Sequence, residues 1–73
     1  MKEKDKQEKL IELGNQIRLL REKKGHNQTQ FANLIGKDQP SINRIEKGRI
    51  NPSYLYLLEI AKGLEIQLNE LFI

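Results

Sequence analysis

The chain has 73 residues, 37% of them apolar and 32% charged, a size and balance that fit one small globular domain. With no cysteine and one histidine, neither a disulfide nor an intrachain zinc site is expected. No apolar run nears the roughly 20 residues of a membrane span, and the opening MKEKDKQEK lacks the apolar stretch of a secretory signal, so a cytoplasmic location is expected.

The formal charge of +3 is unevenly spread. Residues 1–17 balance four lysines against four acids. Residues 18–49 hold eight bases against three acids, a net +5, and residues 50–73 hold one base against three acids, a net −2. A basic segment of this kind attracts polyanions even when the net charge is small.

Residues 1–8 form a charged lead, and residues 9–73 are expected to form the folded domain. The alternating Lys and Glu of the lead read as a solvated extension of the first helix rather than an arm for a minor groove. Over residues 9–24, Leu10, Leu13, Ile17 and Leu20 recur on one helical face, and Gly25 stops the helix. Asn27 caps a second helix, 28–35, with Gln30 completing a capping box. Phe31, Ala32 and Ile35 face inward there, with His26 packing near Phe31.

After Gly36, Asp38 caps a third helix, 39–47, with Pro40 in its first turn and Ile42 and Ile45 inward. Gly48 ends it. Ser53 caps a fourth helix, 54–62, whose core face is expected to hold Tyr54, Leu57, Leu58 and Ala61, leaving Tyr56 more exposed. A break at 63–67 precedes a short last helix, 68–72, that buries Leu68, Leu71 and Phe72. The class is all-α, with four to five short helices.

The link Gly36-Lys37-Asp38 between the second and third helices is short enough to force a sharp crossing. On the third helix, at about 100° per residue, Ile42 and Ile45 share one face. Pro40, Asn43, Arg44 and Lys47 lie on the other, and Gln39 stands at the start. Gln and Asn amides suit adenine and Arg suits guanine, so this face is fit to read base edges. Arg21 falls on the apolar face of the first helix and Glu46 on the inward side of the third. Either charge buried alone is costly, so an Arg21–Glu46 ion pair is expected to join the two helices.

These features occur in a telling order. The stretch I-R-x-L-R-E-x-x-G at 17–25 precedes Asn27-Gln28 and F-A-x-x-I-G at 31–36. Then come S-I-x-R-I-E-x-G at 41–48, N-P-S at 51–53, L-L-x-I-A-K at 57–62 and L-x-E-L-F at 68–72. Over residues 13–72 the chain resembles the Cro/phage-repressor type helix-turn-helix domain, the XRE family. The resemblance implies a compact five-helix bundle of the lambda-repressor-like DNA-binding type, with its third helix in the major groove of double-stranded DNA. It implies base reading by Gln39, Pro40 and Arg44, with Asn43 beside them, and phosphate contacts from Gln28, Ser41, Lys47 and Arg49. The Arg21–Glu46 pair is also a common family feature.

The chain departs from the family pattern in places. Pro40 offers a base only apolar contact. Gly63 stands where alanine is more usual, Glu65 where glycine is, and Gln67 where Ser or Asp caps the last helix. A left-handed Glu65 costs roughly 1 kcal/mol.

Glu59, Glu65 and Glu70 have no nucleophile or histidine placed to work with them, so no enzymatic activity and no cofactor are expected. Leu19, Leu55, Ile66 and Ile73 lie off the core stripes. With the family's habit of pairing through its last helix, they imply a homodimer through residues 63–73, with Leu64, Ile66, Leu68 and Ile73 at the interface. The expected function is a sequence-specific transcriptional regulator, a repressor acting as a homodimer on a palindromic operator. The alternative is an antitoxin that binds a protein toxin and autoregulates its operon.

Overall fold

Polar caps set the helix boundaries, because the first turn of each helix leaves backbone N–H groups without partners. The structure, a computed structural model, describes residues 1–72. Helix α1 spans Glu3–Lys23, α2 Gln28–Leu34, α3 Gln39–Glu46 and α4 Tyr54–Leu64, and a 3-10 turn follows at Leu68–Leu71. The Asn27 side chain accepts from the Gln30 N–H at 2.8 Å and the Gln30 side chain accepts from the Asn27 N–H at 2.8 Å. Asp38 accepts from the Ser41 N–H at 2.8 Å to start α3, with Pro40 in the first turn. Ser53 accepts from the Tyr56 N–H at 3.1 Å to start α4.

The core is a single cluster. Ile17 of α1, Phe31 and Ala32 of α2, Ile42 and Ile45 of α3, Ile60, Ala61 and Leu64 of α4, and Leu71 of the 3-10 turn are all buried. Its geometry depends on a close crossing of α1 over α3. A Cβ at Gly14 would lie 2.4 Å from the carbonyl oxygens of both Ile45 and Glu46. Only a glycine lets α1 approach the α3 backbone so closely.

The last helix differs from expectation. It is a four-residue 3-10 turn rather than an α-helix, so the domain has four α-helices and one such turn. Helix α4 runs two residues further than its pattern indicated, to Leu64, and ends on Glu65 in the left-handed region at φ 59°. There the Ile66 N–H donates to the Ala61 carbonyl at 3.0 Å, closing off the helix end.

Three burial expectations change. Tyr54 is exposed, because side chains lean toward the helix N-terminus and its ring is carried past the edge of the core. Tyr56 is half-buried against the core instead. Phe72 is exposed beyond the end of the 3-10 turn. Ile60 and Leu64, both fully buried, carry the α4 side of the core with Ala61.

The charged lead continues α1 from Glu3, with its side chains in solvent. Gln7 ties it to the end of α3, its Nε2 donating to the Gly48 carbonyl at 3.0 Å. His26 and Phe31 lie with ring centroids 6.1 Å apart, and the Arg21 Nη1 holds the His26 carbonyl at 2.6 Å. Among the described residues, no helix is long and apolar enough to cross a membrane.

Candidate nucleic-acid interface

Helix α3 turns Ile42, Ile45 and Glu46 inward and leaves Pro40 and Arg44 exposed. Gln39, Ser41 and Asn43 are half-buried, and Lys47 and Arg49 stand exposed just past the helix. The orientation of this face is set from below by a chain of charged and amide side chains.

The chain begins at Arg21. Its Nε donates to Glu46 Oε2 at 2.7 Å and its Nη2 to Glu46 Oε1 at 3.0 Å. Both residues are buried, at 5% and 4% exposure, so a lone charge in either place would be strongly unfavourable. The hydrogen bond to Glu46 outweighs the penalty of burial and, with the attraction of Glu46 and Glu22, raises the Arg21 guanidinium above its ordinary pKa. It remains a cation at any pH the protein meets.

Glu46 Oε1 accepts a further hydrogen bond, from Gln28 Nε2 at 3.0 Å. That bond fixes the Gln28 amide with its oxygen toward α3. Gln28 Oε1 then accepts from Gln39 Nε2 at 2.7 Å and from Asn43 Nδ2 at 3.2 Å. Gln39 and Asn43 each keep a carbonyl oxygen and a second N–H, the pair an amide needs to bond adenine N6 and N7 together.

The Gln28 amide, which the sequence pattern assigns to a phosphate, lies within this network, held by Glu46 and holding two α3 amides, and keeps a second N–H. The Ser41 hydroxyl, assigned the same role, is partnered by the Tyr56 hydroxyl. Tyr56 in turn lies under the Lys37 ammonium, 4.8 Å from the ring centroid, and Lys37 bonds Glu59 at 3.3 Å. The contribution of Tyr56 was missed because nothing local marks it; it depends on α4 packing beside the turn before α3.

At the C-terminal end, Ile66 and Leu68 are half-buried against the core. Leu64 has 0% exposure and offers no surface to a second chain, so it leaves the expected dimer interface for the core. Ile73 lies outside the described residues.

The family model HTH_3, Helix-turn-helix, matches residues 17–71. The chain belongs to this helix-turn-helix family. HTH_3, also called the XRE family, comprises DNA-binding transcriptional regulators that catalyse no reaction. Among HTH_3 relatives, control protein C.MunI of Mycoplasma sp is 41% identical over 63 residues, covering 85% of each chain. The transcriptional regulator SlrR of Bacillus subtilis is 38% identical over 61 residues, and there the match spans only 40% of the relative's length. The crystal structure of the restriction-modification controller protein C.AhdI from Aeromonas hydrophila superposes with a TM-score of 0.84 at 36% identity. That match covers 86% of this chain and 96% of the other. The HTH_3 fold here is thus the lambda-repressor-like arrangement, with four α-helices and a 3-10 turn.

Proposed function

We propose that this HTH_3 regulator binds a palindromic operator as a homodimer, represses from it, and serves as a controller-type regulator. The observation that carries the reading is the pair of α3 amides, Gln39 and Asn43, held by one oxygen of Gln28 beside the exposed Arg44. Gln39, Pro40, Asn43 and Arg44 then face bases, while Gln28, Ser41, Lys47 and Arg49 border the phosphates. The controller assignment draws on the relatives that match along most of their length, C.MunI and C.AhdI. The dimer is assigned to the C-terminal end of the chain, to the half-buried Ile66 and Leu68 and the exposed Phe72.

The test is a binding-site selection from random duplexes by the purified chain, followed by light scattering with and without the selected duplex. The expected result is an inverted repeat whose half-sites lie about 10–10.5 base pairs apart, or a multiple of that, bound by two chains. Arg44→Ala should weaken binding to the selected site by about 1–3 kcal/mol and leave the fold intact. An Arg44→Ala variant with full affinity for that site removes the base-reading role. The antitoxin reading makes a different demand: a toxin that co-purifies with the chain and is its main ligand.

A further inference from the structure

We infer that a cleft between α1 and the end of α3 seats a phosphate of the DNA backbone, and that Asn15 and Arg18 of α1 form its outer wall. The inference rests on the DNA-binding reading above and adds residues to it. The cleft has a volume of about 440 Å³ and is lined by Asn15, Arg18, Gln28, Glu46, Lys47 and Arg49, among others. Asn15 precedes residues 17–71, the part of the chain that matches the family.

Charge favours an anion here. Three cations, Arg18, Lys47 and Arg49, line the cleft against one carboxylate, Glu46. Glu46 does not repel the guest, because both its oxygens are held by Arg21 and Gln28 and its side chain is only 2% exposed. Among the described residues, no ion pair engages Lys47 or Arg49. Among the described residues, Arg18 is paired with Glu22, at 3.2 Å, with both side chains about half exposed. Exposed pairs one helical turn apart are weak, so a phosphate readily takes the place of Glu22.

Position favours the DNA backbone as the source of that anion. Gln28 borders the cleft and also holds Gln39 and Asn43. A phosphate in the cleft is therefore one side chain away from the base-reading amides, where the backbone runs beside a helix in the groove. The close crossing at Gly14 brings α1 against the end of α3. Asn15 and Arg18, three residues apart, then share the α1 face that overlooks Lys47 and Arg49. Asn amides and Arg guanidinium groups are both common donors to phosphate oxygens.

The test measures the affinity of the full chain for two labelled duplexes, one carrying the selected site and one scrambled, across 50–200 mM KCl. Arg18→Ala should flatten the slope of log affinity against log salt by ~0.9 on both duplexes. That change corresponds to about eightfold weaker binding at 100 mM salt. Arg18→Lys should restore the slope. Asn15→Ala should weaken binding about three- to tenfold with the slope unchanged. Lys62→Ala, on α4, controls for net charge and should leave the slope alone. Circular dichroism of each variant confirms the helical fold. An unchanged slope for Arg18→Ala overturns the inference while the DNA-binding reading stands, and so does an equal loss for Lys62→Ala. If the unaltered chain binds neither duplex, the DNA-binding reading fails and takes this inference with it.

Discussion

The side-chain oxygen of Gln28 accepts from Gln39 Nε2 at 2.7 Å, so a residue of α2 decides which way the first amide of α3 points. The same oxygen holds Asn43, and the Gln28 amide is itself turned by Glu46. Replacing Gln28 by Ala leaves both α3 amides free to rotate. Affinity for the selected operator should fall by about 1–3 kcal/mol. Binding to a scrambled duplex should change far less, since phosphate contacts supply that affinity. Fluorescence anisotropy on the two duplexes reads the difference, and an equal loss on both would show that Gln28 acts on the phosphates alone.

Removing Arg21 tests the buried pair beneath. Arg21→Met leaves the Glu46 carboxylate buried without its cation, which should cost about 3–5 kcal/mol in urea unfolding. A chain of this size has only some 4–11 kcal/mol in all, at ~0.05–0.15 kcal/mol per residue. The double variant Arg21→Met/Glu46→Leu should recover much of the loss, because no unpaired charge remains. Its operator binding should stay impaired, because Gln28 has lost the acceptor that orients it. A double variant no more stable than Arg21→Met contradicts this account.

At Gly14 two effects oppose each other. Alanine raises helix propensity by about 1 kcal/mol in an ordinary helix. Here its Cβ would sit 2.4 Å from two backbone carbonyl oxygens of α3, which cannot swing aside as a side chain can. Gly14→Ala should therefore be net destabilising, by about 1–2 kcal/mol. It should also weaken operator binding by shifting α3. Urea unfolding and anisotropy measured on the same preparation check both effects, and a more stable variant would count against the close crossing.

The left-handed Glu65 offers the opposite case. Glycine at this position relieves a backbone cost of roughly 1 kcal/mol, offset in part by the greater freedom of the unfolded chain. Glu65→Gly should stabilise the domain by up to about 0.6 kcal/mol and raise its Tm by up to about 5 °C. A thermal melt followed by circular dichroism reads this directly, and a lower Tm would mean that the Glu65 side chain contributes something glycine cannot.

Local chemistry accounts for much of what could be read along the chain. Asn27, Asp38 and Ser53 each accept a hydrogen bond from a backbone N–H three residues on, so the helix starts follow from neighbouring residues alone. The inward faces of α1, α2 and α3 follow from spacing, as do the wheel positions that bring Arg21 and Glu46 together. On α4 and beyond, spacing placed Leu57, Ala61, Leu68 and Leu71 on the core but failed for Tyr54 and Phe72. Tyr54 and Leu64 sit at the two ends of that helix, and whether an end residue is covered depends on what packs across from it.

The roles of Gln28 and Tyr56 could not be read in this way, because their partners lie 11–18 residues away on other helices. An amide on a surface pattern reads the same whether it bonds solvent, phosphate or a neighbouring helix. The sequence alone therefore specified an all-α helix-turn-helix domain and the polar face of its third helix. The crossing of α1 over α3 and the packing of α2 against α3 decided how that face is held. Periodicity records which side of a helix is apolar, while hydrogen-bond partners and burial are settled only when the helices meet.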